Sequence, residues 1–203
     1  NWLPIICGKR LYKVRAKQTI LCVGSMEQQA VFHNNDLPGV IMSSAAQRLM
    51  HLYAVRPGKA AVVVTGNNEG YGAALDLLDA GVEVKAIIDL RQHPEYDAVA
   101  QYALSKGLNV KTGHAVYAAN KDDSGLHLGS VEIREIISQG ICATPKSGKG
   151  EIIDCDTLCM SVGYTPTYQL VCQGGGQLSY DDDSSMFTLT NCPQDCQIAG
   201  SVN

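Results

Sequence analysis

The stretch Ala60-Ala61-Val62-Val63-Val64-Thr65-Gly66-Asn67-Asn68-Glu69-Gly70-Tyr71, completed by Ile87-Ile88-Asp89, decides how this chain folds. A continuous run of small apolar residues enters a tight turn, a helix-like stretch closes at Gly81, and a second apolar run ends on an acid. Strands buried on both faces of a parallel sheet have that uninterrupted character. The order is that of a βαβ unit of the dinucleotide-binding kind, with its phosphate-binding glycines overwritten. A G-x-G-x-x-G fingerprint needs glycine at 66, 68 and 71, and the chain has Gly66, Asn68 and Tyr71. Each glycine serves a purpose: the tight turn, backbone access to a pyrophosphate, and close helix–strand packing. Two of the three are compromised. Glu69 adds a carboxylate where free N–H groups and the positive helix end would attract phosphate. It is expected to satisfy the helix end itself and to repel an anion. The turn reads as an empty site, the alternative being nucleotide binding that uses Asp89 as the ribose acid.

Outward from this unit, residues 70–80 read as a helix stopped by Gly81 and Val82–Ile88 as the second strand. Asp97–Lys106 reads as a helix stopped by Gly107, and Asn109–Lys111 starts a third strand. A β-α-β-α-β order predicts a parallel sheet with right-handed crossovers. After Gly113 the character changes. His114–Ala119, Gly125–Ile137 and Glu151–Val162 read as strands between polar turns, a meander expected to cover one face of the sheet. Upstream, Thr19–Val23 is a strand turning at Gly24-Ser25. Residues 33–40 are rich in turn signals. Ser44-Ala45-Ala46-Gln47 fits a capping box at the head of a helix that Pro57-Gly58 breaks. The last residues, Cys196 to Asn203, form a strand running into the glycine turn Gly200-Ser201. Both ends look unfinished, and the chain is expected to be a fragment that self-associates through exposed strand edges.

The 203 residues are 45% hydrophobic and 18% charged, with a formal charge of −4, as in an ordinary soluble globular protein. Basic residues are dispersed and form no stripe for nucleic acid. No apolar run approaches the roughly 20 residues that cross a bilayer, and the start has no signal-peptide pattern. A cytoplasmic location is expected. The eight cysteines offer one metal alternative, Cys155/Cys159 with Cys192/Cys196. Packing as small core residues in a reducing compartment is preferred. His33, His51, His93, His114 and His127 have no spacing that suggests a metal helix or a catalytic dyad. Asp181-Asp182-Asp183 lacks the calcium-loop pattern and reads as a solvated turn. Gly174-Gly175-Gly176, expected after a strand, lacks the lysine of a P-loop. No catalytic and no metal-binding residue is assigned.

Several segments together resemble the α subunits of heterotetrameric sarcosine oxidases. They are Leu21-Cys22-Val23-Gly24-Ser25-Met26-Glu27, Asn34-Asn35-Asp36-Leu37-Pro38-Gly39-Val40, Val55-Arg56-Pro57-Gly58-Lys59, Ala80-Gly81-Val82-Glu83-Val84, Thr112-Gly113-His114-Ala115-Val116, Cys155 to Pro166, and Ile198-Ala199-Gly200-Ser201. Related amine and opine oxidases share much of this pattern. The resemblance implies two nucleotide-binding-type domains, similar to the pyridine-nucleotide disulfide reductases. Residues 58–151 would form a Rossmann-like domain inserted between strands of a second, incomplete FAD/NAD(P)-binding-type domain, residues 1–57 and 152–203. It implies an oxidoreductase that demethylates a secondary amine, NAD in the larger domain, FAD and FMN elsewhere in the enzyme, and partner subunits. Gly24, Ser25, Gly200 and Ser201 fall on nucleotide-contacting turns of the family, although Cys22 and Val23 replace the Ala and Thr of its A-T-G segment. The isolated fragment is expected to be inactive. Two other readings stay open: a non-catalytic α/β interaction module, and an NAD(P)H-dependent reductase domain.

Overall fold

The structure, a computed structural model, describes residues 2–138 and 144–202. Along the chain come β1 (Leu3–Cys7), β2 (Arg10–Val14), β3 (Thr19–Leu21), β4 (Ser25–Glu27), β5 (Val40–Met42) and α1 (Ser43–Tyr53). Next are β6 (Ala60–Thr65), α2 (Glu69–Asp79), β7 (Glu83–Asp89), α3 (Ala98–Ser105), β8 (Val110–Thr112), β9 (His114–Lys121) and β10 (Leu128–Ser138). The last are β11 (Thr144–Pro145), β12 (Glu151–Asp154), β13 (Thr157–Ser161), β14 (Tyr164–Pro166), α4 (Gln169–Gln173), β15 (Gln177–Asp181), β16 (Met186–Asn191) and β17 (Cys196–Ile198). Two compact units result, residues 27–163 and residues 1–26 with 164–203.

In the unit 27–163 a parallel sheet runs in the order β5-β13-β6-β7-β8. The apolar run of β6 alternates its side chains between two cores. Val62 and Val64 pack with Ile88, Leu158 and Met160 against Val116, Leu128, Val131 and Ile133 of the antiparallel strands. Ala61 and Val63 pack with Ile87 and Cys159 against Tyr71, Ala74 and Leu77 of α2 and Ala100 and Ala103 of α3. The meander therefore covers one face and the helices the other, the α/β class that the sequence predicts. Gly81 and Gly107 end their helices with φ of +76° and +77°, and Asp97 caps α3 by accepting the N–H of Ala100 at 2.8 Å.

Three local expectations change. The run 151–162 is two strands, because Asp156 breaks it. Its carboxylate accepts the N–H groups of Lys59 and Ala60 at 2.9 and 3.1 Å. Strand β13 then leaves the meander and enters the middle of the parallel sheet, every residue of it buried. The capping box at Ser44 does not form. The N–H and hydroxyl of Ser44 instead donate to the carboxylate of Glu27, the N–H at 3.0 Å, so a distant acid caps α1. That helix ends at Tyr53, with Ala54 left-handed at φ +52°, before Pro57-Gly58 is reached.

In the other unit, β1 and β2 form an antiparallel hairpin from Leu3↔Val14 to Cys7↔Arg10, and β15 and β16 form a second. Asp181 closes β15 of the second, and its carboxylate accepts the Ser184 hydroxyl from the turn at 2.6 Å, a bond that lowers its pKa. β3 and β17 pair in parallel, Thr19↔Cys196 to Leu21↔Ile198. Gly174-Gly175-Gly176 follows α4 and not a strand. Large apolar side chains of this unit stand exposed, among them Ile6 at 80% and Ile20 at 63%.

Candidate functional site

Open α/β sheets bind ligands outside the carboxyl ends of their strands, and each unit has such an edge. In the unit 27–163 polar residues line it. Ser43 follows β5, while Ser161, Thr65 and Asp89 close β13, β6 and β7, and all four are buried. A Cβ on Gly70 would lie 2.5 Å from the Cβ of Thr65, so Gly70 makes the close helix–strand approach of the third fingerprint glycine. The motif thus counts from Thr65 through Asn67 to Gly70, one residue earlier than the glycines suggest. Tyr71 is fully buried with its hydroxyl on Asp89, and the packing function expected to be lost is intact. The two glycines nearest a phosphate are the ones replaced.

The filler is also not Glu69, which stands exposed. Asn67 takes that role: its side-chain oxygen accepts the N–H of Glu69 at 3.0 Å and the hydroxyl of Ser161 at 3.2 Å. The Thr65 hydroxyl donates to the carbonyls of Asn67 at 2.8 Å and Ser161 at 3.0 Å. Asp89 sits at the end of β7, fully buried. It accepts the Tyr71 hydroxyl at 2.7 Å and, from Arg91, the backbone N–H, Nε and an Nη at 2.9, 3.0 and 2.8 Å. Burial first, then the bond to Asp89, holds the Tyr71 phenol far above its ordinary pKa. The hydrogen bond to Asp89 likewise raises Arg91. The acid at the ribose offset is therefore consumed within the protein. Arg91 escapes a reading of the sequence because a lone arginine carries no pattern. Its proximity to Asp89, two residues away, was the available signal.

In the other unit the two turns singled out in the sequence meet. Gly24 and Gly200 follow the adjacent parallel strands β3 and β17, with φ of +73° and +80°. A Cβ on Gly24 would meet the Ser201 Oγ at 3.8 Å, whereas one on Gly200 would find open space. Ser25 opens β4, and Ser201 is exposed. Thr167, which no sequence pattern marks, holds the turn: its N–H donates to the Gly24 carbonyl at 3.0 Å, and its hydroxyl bonds the carbonyls of Val23 and Gly24. Two backbone turns with left-handed glycines at one strand edge give a ligand close backbone approach, which fits a dinucleotide.

The remaining candidates separate. Cys155 and Cys159 are buried on opposite faces of the sheet. Cys7, Cys22 and Cys172 are exposed and do not pack as core residues, and Cys192 and Cys196 are half-buried. Cys142 lies outside the described residues. Among the described residues no three His, Cys, Asp or Glu side chains converge as a metal site. His51 lies 3.2 Å from Asp76, and His114 Nδ1 lies 2.7 Å from the Thr112 carbonyl. No described helix is long and apolar enough to cross a membrane.

The fold is similar to that of solved reductase structures. Thioredoxin reductase from T. acidophilum matches with a TM-score of 0.70 at 18% identity, covering 98% of this chain and 61% of that one. In sequence the chain is similar to the sarcosine oxidase α subunit. It is 29% identical to that of Corynebacterium sp. (strain P-1) over 197 residues, 97% of this chain, and 29% identical to that of Rhizobium meliloti (strain 1021) over 200 residues, 98% of this chain. It spans 19% and 18% of the length of these relatives. No family model matches.

Proposed function

We propose that the chain is part of the α subunit of a sarcosine-oxidase-like flavoenzyme and supplies part of an NAD cradle. The complete enzyme demethylates a secondary amine oxidatively, dioxygen receiving the electrons by way of FAD and FMN held in other parts of the assembly. No described residue is assigned to the chemistry. Gly24, Ser25, Gly200 and Ser201 would face the NAD, with Thr167 holding the first turn, and residues 58–151, which lie within the compact unit 27–163, would be a domain inserted in the NAD-binding one. Partner subunits complete the assembly, in the cytoplasm. The single observation that carries this reading is the meeting of the Gly24 and Gly200 turns at the ends of paired parallel strands, in a chain similar over almost its whole length to subunits of that name.

The test is made on the complete subunit assembled with its partners. NAD released on denaturation is measured for the wild type and for Gly24→Val and Gly200→Val, alongside oxygen uptake and formaldehyde release with sarcosine. Stoichiometric NAD in the wild type and its loss from both variants are expected, with amine-dependent oxygen uptake by the wild type. NAD retained in both variants would remove the cradle from these turns. A fully assembled enzyme that consumes no oxygen with sarcosine or other secondary amines would overturn the oxidase reading.

A further inference from the structure

Four backbone N–H groups of the turn after β6 and the first turn of α2 have partners inside the chain. Gly66 donates to the Ser161 carbonyl at 3.0 Å, Asn67 to the Thr65 hydroxyl at 3.2 Å, Glu69 to the Asn67 side chain at 3.0 Å, and Tyr71 to the Asn68 carbonyl at 3.2 Å. A phosphate at a helix start is held by such groups. Here the amide oxygen of Asn67 takes the place of a phosphate oxygen. The ribose acid is equally occupied. An ionised carboxylate has about four lone-pair sites, and Asp89 receives Arg91 twice on one oxygen and Tyr71 and Arg91 on the other.

The strand ends beside the crevice are bonded to one another. From β6 the chain steps one way to β7 and β8, while β13 and β5 lie on its other side, so the switch point falls between β6 and β13. There the Gly66 and Thr65 bonds to the Ser161 carbonyl stitch the two strand ends together, and a Cβ on Gly66 would come within 2.8 Å of the Val162 carbonyl. Asn68 ties down the loop after β7, donating to the Glu95 carbonyl and accepting from Arg91, both at 3.0 Å.

We infer that this unit carries its own substitute for a nucleotide: Asn67 stands in for the phosphate and Arg91 for the ribose hydroxyls. The unit is complete without a dinucleotide and takes none. This stands independently of NAD binding at Gly24 and Gly200.

Residue-resolved amide hydrogen exchange on the chain tests it, with and without millimolar NADH or NADPH, in the wild type, Asn67→Gly and Asn67→Asp. The amides of Gly66 and Glu69 should be protected in the wild type without nucleotide, and neither nucleotide should change them. Asn67→Gly should exchange Glu69 roughly tenfold faster, the scale of one lost hydrogen bond, and Asn67→Asp, which keeps the acceptor, should restore protection. Fast exchange at Gly66 and Glu69 in the free wild type, or protection gained there with NADH, would overturn the inference. Protection gained at Gly24 and Gly200 reports separately on the proposed cradle. If Asn67→Gly does not fold, the wild-type and Asn67→Asp measurements decide.

Discussion

The Cα of Gly70 faces the side chain of Thr65 so closely that a methyl group on it would lie 2.5 Å from both the Cβ and the Oγ1 of the threonine. Thr65 is itself fixed by the Ser161 and Asn67 carbonyls and cannot withdraw. Gly70→Ala should therefore cost about 1–3 kcal/mol, as overpacking does. Gly72, two residues along the same helix, meets only a Val99 methyl at 3.8 Å. Gly72→Ala should stabilise by about 0.5–1 kcal/mol through helix propensity. Urea unfolding of the two variants checks the opposite signs.

The Asp89 carboxylate is fully buried and depends on Arg91, whose side chain is 28% exposed. Arg91→Leu leaves that charge with the Tyr71 hydroxyl and one backbone N–H, and should destabilise by about 3–5 kcal/mol. Tyr71→Phe removes one bond to a charged acceptor and should cost about 1.5–3 kcal/mol. The two losses should fall short of additive in the double variant, because both act through Asp89. Additivity within error would show that Asp89 does not couple them.

Burial pushes the thiols of Cys155 and Cys159 up to about 12 each, from an ordinary value of 9.0. The folded state thus holds protons that the unfolded state releases first. Their stabilisation is complete below about pH 9 and is lost as pH rises toward 12, with Tyr71 acting in the same direction. Cys155→Ala with Cys159→Ala should flatten the alkaline fall in the denaturation midpoint. Under native conditions a thiol reagent should label the exposed Cys7, Cys22 and Cys172 quickly, and the two buried cysteines only after unfolding.

Glu27 caps α1 from outside the helix, so Glu27→Ala should lower stability by about 0.5–2 kcal/mol, while Glu27→Gln, which keeps an acceptor oxygen, recovers part of it. Thermal unfolding monitored by circular dichroism measures both. Equal losses in the two variants would show that the charge, and not the cap, is what matters.

The succession β6, α2, β7, α3, β8 was legible because β6 is an almost unbroken apolar run, β7 carries the apolar Ala86-Ile87-Ile88, and both helices stop on glycine. The place of β13 was not legible. Thr157–Ser161 continues the apolar pattern of Glu151–Asp154, and only Asp156, through partners at Lys59 and Ala60, divides them. The register of the fingerprint was misjudged by one residue, since Gly66 is a visible glycine whereas Thr65 is recognised only by what packs on it. Asn67 and Arg91 were hidden for the same reason: a side chain that satisfies a distant group has no local signature. Gly24 and Gly200 were visible as strand-ending turns. Their meeting depends on the pairing of β3 with β17, which no short pattern announces.

The position of β13 makes the sheet depend on a strand synthesised after both of its neighbours. β6 is bracketed by β7 and β13, and the chain at its entrance bonds an aspartate 97 positions further along. On a ribosome β5 and β6 emerge early with open edges facing each other, and they stay apart until the strand that fills the gap is made. The sheet can be completed only when its middle strand arrives. Sequence-distant pairing of this kind slows folding and prolongs exposure of sticky edges. Slowing of translation only after β13 has cleared the ribosome, or a chaperone that shields β6 until then, should raise the yield of correctly folded chain.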